Sequence, residues 1–424
     1  MENLPRTGSL IICANHTNAF LDALILGSHI PRKIKNLPRG DIFFTSGPTL
    51  RWLFDQIGMI PIFRAIEGKE HLHKNEETFS RCHEVLGRGG AIAIFPEGIC
   101  IPERRIKAMK KGAARIIFGA EELYDFGLDT KLIFVGMNYE KAWRFKTDLF
   151  LNFSRVYSIE EYIELYKENT VKGINELTKS LKPKLTTQVI HLDKAEYDGF
   201  YEQVESLYAE QLIEEHGLQV DNLEHQFLLS REIARGINYH FAENESGISQ
   251  VRQETDTYFK ELEVLGLTDK TLASIPTGLS LFMNILSTIL AFPLHLYGLI
   301  NNYIPAKIAK TVADKVVKKV DFYSSVTATV GMCSFLFFYP LMIFIFWIGS
   351  DSLVLTGLYT ATLHLSGNFS AQYIEGLREL RSTIKHYQFA KNNQNKVGEL
   401  LSIRKQLEDK LVGLKVAYRD RNSK

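Results

Sequence analysis

Two stretches of this chain, residues 271–300 and 326–350, contain no Asp, Glu, Lys or Arg. A water-soluble fold has no place to put runs of that length, because surfaces need charge and cores are shorter. Pro276 to Ile300 is 25 uncharged residues, ~37 Å as a straight helix and broken at Pro293 and His295, against a hydrocarbon core of ~30 Å. Val326 to Ile348 is long enough to span, and Leu353 to Ser366 is a third, shorter apolar piece after a polar turn at Gly349–Ser352. Lysines at 307, 310, 315, 318 and 319 separate the first two segments. Such charge belongs on the cytoplasmic side. If 276–300 crossed fully, the N-terminal half would then lie on the opposite face. We therefore expect the first segment to dip in and return or to lie at the interface, followed by a 326–366 hairpin. Two or three full spans are the alternative.

The net charge of +1 hides an uneven distribution. Residues 1–150 carry +4, residues 191–270 carry −12, and residues 375–424 carry +6. Basic segments beside charge-free apolar blocks point to a membrane and argue against nucleic acid. An acidic block would be repelled by an anionic leaflet and should face away from it. Four cysteines (Cys13, Cys82, Cys100, Cys333) show no paired spacing. Neither a disulfide framework nor a zinc site is indicated, and a reducing setting is expected. No signal-peptide pattern is present in the polar stretch Met1–Gly8.

Residues 1–150 alternate short apolar runs with amphipathic stretches. Strands are expected at Ser9–Ala14, Ile42–Thr45, Met59–Phe63, Ala91–Phe95 and Lys131–Met137, with helices near 19–29, 47–57, 68–88 and 108–124. Alternation of this kind gives an α/β fold, a mostly parallel sheet flanked by helices. Gly87-Arg88-Gly89-Gly90 lacks both the Walker lysine and the dinucleotide spacing, so it is read as a turn. The expected organisation is 1–155 as the α/β domain and 156–274 as an acidic helical extension. Membrane-embedded segments follow over 275–366 (about 276–300, 326–348 and 353–366), with a Lys-rich linker at 301–325. The last part, 367–424, is a basic helical tail. In that tail Leu400, Ile403, Leu407, Leu411 and Leu414 form an amphipathic face suited to a partner or to self-association.

The chemistry concentrates at strand ends. The run Leu10–Ala14 stops at Asn15-His16, a polar turn follows, and Ala19-Phe20-Leu21-Asp22 opens a helix. In open α/β sheets the carboxyl ends of strands form the ligand crevice. A carboxylate at Asp22 can hold one ring nitrogen of His16 and leave the other to take a proton from a hydroxyl. The stretch Gly58-Met59-Ile60-Pro61-Ile62-Phe63-Arg64 ends a strand in arginine, the side chain best matched to phosphate. Phe95-Pro96-Glu97-Gly98 and Val135-Gly136-Met137-Asn138-Tyr139 end two more. Any one of these could be an ordinary capped strand end. Four finishing in His, Arg, Glu and Asn along one sheet edge are hard to explain that way.

Taken in order, Asn15-His16…Asp22, Gly58…Pro61…Arg64, Phe95-Pro96-Glu97-Gly98 and Val135-Gly136-Met137-Asn138 resemble the four blocks of the glycerol-3-phosphate and lysophosphatidic-acid acyltransferase superfamily. The resemblance covers residues 5–150. It implies transfer of a fatty acyl group from an acyl thioester, acyl-CoA or acyl carrier protein, to a hydroxyl of glycerol 3-phosphate, dihydroxyacetone phosphate or 1-acylglycerol 3-phosphate. His16 would be the general base, Asp22 its orienting partner, and Arg64 the holder of the acceptor's phosphate. The implied substrate-binding set is Arg64, Glu97, Gly98, Asn15, Pro96 and Asn138. Neither a metal nor a bound cofactor is expected. Five residues separate His16 from Asp22, where most members have four. That spacing is similar to a subgroup including dual-substrate glycerol-3-phosphate/dihydroxyacetone-phosphate acyltransferases. The third block commonly runs on to Ser or Thr, whereas this chain has Ile99-Cys100-Ile101. The basic run Arg104, Arg105, Lys107, Lys110, Lys111, Arg115 is either a solvated face or phosphate-attracting charge. The alternatives to lipid synthesis are lysophospholipid remodelling by the same site, or a non-catalytic membrane scaffold. The expected location is an integral membrane protein with the catalytic domain cytoplasmic, in a bacterial inner membrane or the endoplasmic reticulum.

Overall fold

The computed structural model describes residues 4–38, 47–48, 52, 54, 56, 58–63, 75–142, 147–215, 217–219, 222–273, 275–317 and 322–422. The chain forms two compact units, Met1–His191 with Lys319–Ser325, and Leu192–Lys318 with Val326–Lys424.

In the first unit the elements follow as β1 (Leu10–Ala14), α1 (Ala19–His29), β2 (Ile34–Asn36), α2 (Asn75–Gly87), β3 (Ala91–Ile94), α3 (Gly112–Leu123), β4 (Lys131–Tyr139), β5 (Leu149–Phe153), β6 (Tyr157–Ser158), α4 (Glu160–Glu168) and α5 (Thr170–Thr186). The sheet order is β2-β3-β1-β4-β5, with β6 pairing the start of β4. β2, β3, β1 and β4 are mutually parallel, while β5 and β6 run antiparallel to β4. The chain lays β2 and β3 on one side of β1 and then crosses to place β4 on the other. That reversal opens a crevice at the carboxyl end of β1, the usual ligand position of such sheets.

The alternating pleat explains the two cores. Ile11, Cys13, Ile92, Ile94, Leu132 and Phe134 face α2, α3 and α5, while Leu10, Ile12, Ala93, Ile133 and Val135 face Leu26 and Ile30. All five residues of β1 are buried on both faces, as a near-continuous apolar strand requires. Each such Leu or Ile contributes at most ~1.5–3 kcal/mol of burial. Gly136 is required by a close approach, because a Cβ there would lie 1.9 Å from the Gln188 carbonyl oxygen.

Several expectations need adjustment. The expected strand at Ile42–Thr45 lies outside the described residues, as does most of the expected helix at 47–57. Met59–Phe63 is not a continuous strand: Met59 bridges Asn36, and the stretch follows the end of β2 through Ile60 N to Asn36 O at 2.9 Å and Ile62 N to Pro38 O at 2.9 Å. β2, β5 and β6 were not expected; β2 and β6 are too short to show a period. Helices α4 and α5, which fall within the expected acidic extension, pack into the first unit, with Leu177, Leu181 and Leu185 in its core.

The second unit holds α6 (Asp198–Glu215), α7 (Leu223–Glu243), α8 (Glu245–Leu265), α9 (Asp269–Ala273), α10 (Gly278–Val316), most of α11 (Tyr323–Ser350), α12 (Leu353–Asn392) and α13 (Gln394–Asn422). The basic α13 lies on the acidic helices. Arg404 pairs with Asp269 at 3.0 Å and Lys396 with Glu261 at 2.6 Å, and Lys410, Lys415 and Arg421 pair with Glu254, Glu215 and Glu243. Among the described residues, α13 thus matches five of the 18 acidic residues of 191–270. Leu400, Leu407 and Leu411 are buried, so this face of α13 finds its partner intramolecularly.

Two helices, Gly278–Val316 and Tyr323–Ser350, are long and apolar enough to cross a membrane. α10 is continuous, contrary to the expected break at Pro293 and His295, and it absorbs the first part of the expected lysine linker. Proline removes one helical hydrogen bond. Here the neighbouring turns are held from α12: His295 Nδ1 lies 2.9 Å from Ser370 Oγ, Tyr373 stacks on the His295 ring, and Tyr373 Oη donates to Thr288 O at 3.1 Å. α12 likewise runs without a break from the third apolar piece into the basic tail.

Candidate active site

β1 ends at Ala14, and the next residue ties the crevice together. Asn15 is buried; its Nδ2 donates to Met137 O at 3.1 Å and its Oδ1 accepts from Met137 N at 2.7 Å. The side-chain amide thus acts as an extra rung between β1 and β4. Both of its polar atoms are used on backbone, so Asn15 shapes the site from beneath.

His16 follows. Its Nδ1 lies 2.9 Å from Asp22 Oδ2, across the five-residue spacing, and its ring stacks on Phe95 with centroids 4.1 Å apart. The Asp22 side chain is fully buried, while His16 retains 15% exposure. Asp22 Oδ2 also accepts from Thr17 N and Asn18 N, both at 2.8 Å, and Asp22 Oδ1 accepts from Tyr139 Oη at 2.7 Å. All four groups that face this carboxylate are placed as donors, the arrangement an acceptor-only group requires. The proton between His16 and Asp22 is therefore assigned to Nδ1, leaving Nε2 with its lone pair. Nε2 makes no hydrogen bond among the described residues.

The turn carrying these groups is strained and clamped. Ala19 has φ +39°, a region costing a non-glycine residue ~1–3 kcal/mol. Its N–H donates to Cys100 Sγ at 3.0 Å, so the thiol in place of the usual hydroxyl fastens the helix start. Ser325, in the first turn of α11, donates to Asn18 O at 2.8 Å and accepts from Leu21 N at 3.2 Å. Asn18 Nδ2 and Ser324 Oγ both donate to Ala142 O.

Glu97 is buried and faces the backbone. Oε1 accepts from His16 N at 3.3 Å and Oε2 from Lys107 N at 2.8 Å. Burial pushes its carboxyl above the ordinary glutamate value, opposed by those two hydrogen bonds and the nearby positive groups. Pro96 O accepts from Lys110 N at 2.7 Å, and Gly98 adopts φ +68°, the left-handed region that this turn demands. Asn138 Nδ2 donates to Gln188 O at 3.1 Å and its Oδ1 accepts from Ile190 N at 3.0 Å, so it anchors the 188–190 segment. Arg64 lies outside the described residues. The residue before it is fixed, since Phe63 N donates to Asn75 Oδ1 and Asn75 Nδ2 donates to Phe63 O, each at 2.8 Å.

The structure thus brings His16, Asp22, Glu97, Asn15 and Asn138 to one sheet edge, but only His16 and Asp22 touch through their reactive atoms. A cavity of about 60 Å³ lies beside them, lined among others by Thr17, Arg104, Arg105, Tyr139 and Val189. Tyr139 and Ser325 are functional neighbours that sequence reasoning missed. Tyr139 directly follows the fourth block, and its place at the end of β4 was the available signal. Nothing local marks Ser325. Among the described residues, no cluster of His, Cys, Asp and Glu could hold a metal.

Residues 1–133 match the family described as Acyltransferase. Two curated relatives are similar to the chain: the 1-acyl-sn-glycerol-3-phosphate acyltransferase LPAT1, chloroplastic, of Arabidopsis thaliana, 27% identical over 113 residues, and BAT2, chloroplastic, of Brassica napus, 27% identical over 116 residues. Each match covers 27% of this chain, and 30% and 31% of the respective relatives. Among solved structures, the 1-acyl-sn-glycerophosphate (LPA) acyltransferase PlsC of Thermotoga maritima is 16% identical, with 42% of this chain and 69% of that chain covered and a TM-score of 0.27.

Proposed function

We propose, from the match of residues 1–133 to the Acyltransferase family, that this protein is a membrane-bound O-acyltransferase of the glycerol-phosphate superfamily. It moves a fatty acyl group from acyl-CoA or acyl carrier protein to glycerol 3-phosphate, dihydroxyacetone phosphate or 1-acylglycerol 3-phosphate. The observation that carries this reading is the 2.9 Å pair of His16 Nδ1 and a fully buried, hydrogen-bond-saturated Asp22. His16 Nε2 accepts the acceptor's hydroxyl proton as its oxygen attacks the thioester carbonyl. The tetrahedral oxyanion collapses, the C–S bond breaks, and the thiolate takes the proton back from the imidazolium. Asp22 stabilises that imidazolium, and positioned general-base catalysis of this kind contributes ~10²–10⁴-fold.

In this reading Arg64 holds the acceptor's phosphate, and Arg104, which lines the adjoining cavity, adds to the attraction of an anionic headgroup, while Arg105 is paired with Glu103. Asn15, Pro96, Glu97, Gly98 and Asn138 set the shape of the acceptor pocket through the backbone they hold.

The two long apolar helices support membrane attachment. Asn18 and Ser325 are hydrogen-bonded and so share one face of a bilayer, while only α10, among the candidate spans, lies between them in sequence. That argues against α10 as a full crossing; α10 instead runs along α11 and the start of α12, with Asn302 and Asn301 accepting from Tyr339 Oη and Tyr359 Oη. The lysines at 307, 310 and 315 then support a cytoplasmic catalytic domain.

The test is acyl transfer from labelled oleoyl-CoA in detergent micelles, wild type beside His16→Ala, with the three acceptors offered separately. Product from at least one acceptor that disappears in the variant is expected. No product from folded protein, with carrier-protein donors also tried, or retained turnover in His16→Ala, overturns the reading.

A further inference from the structure

Between α6, α7 and α13 of the second unit lies a cavity of about 440 Å³. That is the size of small-molecule pockets, ~300–1,000 Å³. Its walls are almost wholly apolar, built from Phe200, Leu212, Ile233, Leu411 and Leu414 among others. Glu232 and Arg419 are exposed and mark its mouth, with Lys415 beside them.

Two observations within the cavity point to a ligand. Tyr208 lines it with only 3% of its surface exposed, and its buried hydroxyl, without a partner of close geometry, faces the Lys415 ammonium. Lys415 Nζ stands 5.5 Å from the centre of that ring. Gly236 sits mid-way along α7, where glycine weakens a helix relative to alanine. No packing demands it there, since a Cβ built on Gly236 meets nothing within 4 Å. What the glycine provides is width.

We propose that this cavity binds a long hydrocarbon chain carrying an anionic head, the chain lying against α7 at Gly236 and the head meeting Lys415 and Arg419. Glu232, the acidic group at the mouth, is held by Arg235 at 2.6 Å, while Lys415 pairs with Glu215, which an anionic head would partly replace. A free fatty acid and the acyl tail of a thioester share this chemistry. The site is separate from the sheet-edge histidine and does not rest on its reading.

The experiment uses the full chain in nanodiscs with a diazirine-bearing palmitate, photolysed and mapped by peptide mass spectrometry. Labelling of peptides containing Ile233–Ile237 and Leu411–Leu414 is expected, competed by palmitate better than by hexadecanol. Equal competition by palmitoyl-CoA assigns the thioester tail, and competition by palmitate alone assigns the free acid. Gly236→Leu should reduce label on these peptides at least fivefold and leave label on α11 unchanged, whereas Gly236→Ala should label as wild type. Absence of label there in the wild type, or label indifferent to Gly236→Leu, overturns the proposal.

Discussion

Tyr139 Oη donates to Asp22 Oδ1 at 2.7 Å, on the oxygen opposite the one that holds His16. Burial first, then the Asp22 charge, drive the phenol's pKa far upward, so it remains a donor at every working pH. Tyr139→Phe removes this charge-assisted bond, whose worth is ~1.5–3 kcal/mol. We expect kcat to fall about ten- to a hundredfold with an almost unchanged acceptor KM. A raised acceptor KM with kcat unchanged would show that Tyr139 serves substrate binding instead.

Arg64→Ala should raise the acceptor's KM at least tenfold while kcat with saturating acceptor changes little, and Arg64→Lys should recover only part, because lysine cannot form the two-pronged phosphate contact. Steady-state kinetics against acceptor concentration decides this. An unchanged KM removes the phosphate role.

The cysteines should react unequally. Cys13 and Cys82 are fully buried, and burial pushes each thiol up to about 12, which suppresses the reactive thiolate. Cys100 is half-buried, and its sulfur accepts from Ala19 N beside the His16 turn. N-ethylmaleimide should inactivate the wild type and spare Cys100→Ser. Equal sensitivity of the two would place the reactive thiol elsewhere.

Glu97 gives a signed pH effect. Its folded pKa is raised, so the native state holds this proton more tightly than the unfolded chain does. The stabilisation is complete below the ordinary glutamate range and is lost as pH rises through the raised value. Comparing wild type with Glu97→Gln by thermal unfolding from pH 4 to pH 7, the difference in Tm should move in favour of the variant as pH rises. Movement the other way would mean that the hydrogen bonds from His16 N and Lys107 N outweigh burial.

Membrane topology is open to cysteine accessibility. With Cys100 and Cys333 replaced by serine, Thr277→Cys and Val317→Cys, at the two ends of α10, should both react with an impermeant maleimide from the side bearing the catalytic domain. Labelling from opposite sides would make α10 a true span.

Sequence reasoning reached what is local and periodic. The Leu10–Ala14 run, the His16–Asp22 turn and the strand ends at Phe95 and Asn138 could be read because apolar strands stop abruptly at polar residues. It did not reach what side chains do once strands are adjacent. Asn15 and Asn138 looked like groups for a substrate, yet their amides are used on the backbone of Met137, Gln188 and Ile190. Glu97 is turned towards His16 N for the same reason: an interrupted sheet edge leaves N–H groups that need acceptors. The continuity of α10 through Pro293 was equally hidden, because its support comes from Ser370 and Tyr373 on a helix about eighty residues further on.

The clamp on Asn18 is 307 residues downstream of it. During synthesis the strand, histidine and aspartate leave the ribosome long before Ser325 exists. The nascent N-terminal portion must therefore wait with Asn18 O and Leu21 N bonded only to each other, lacking Ser325, until α10 and the start of α11 have been made. Completion of the histidine turn is thereby tied in time to synthesis of the apolar helices, so a chain truncated or stalled before residue 325 would carry all four strand-end blocks and still lack the last fastening of the turn.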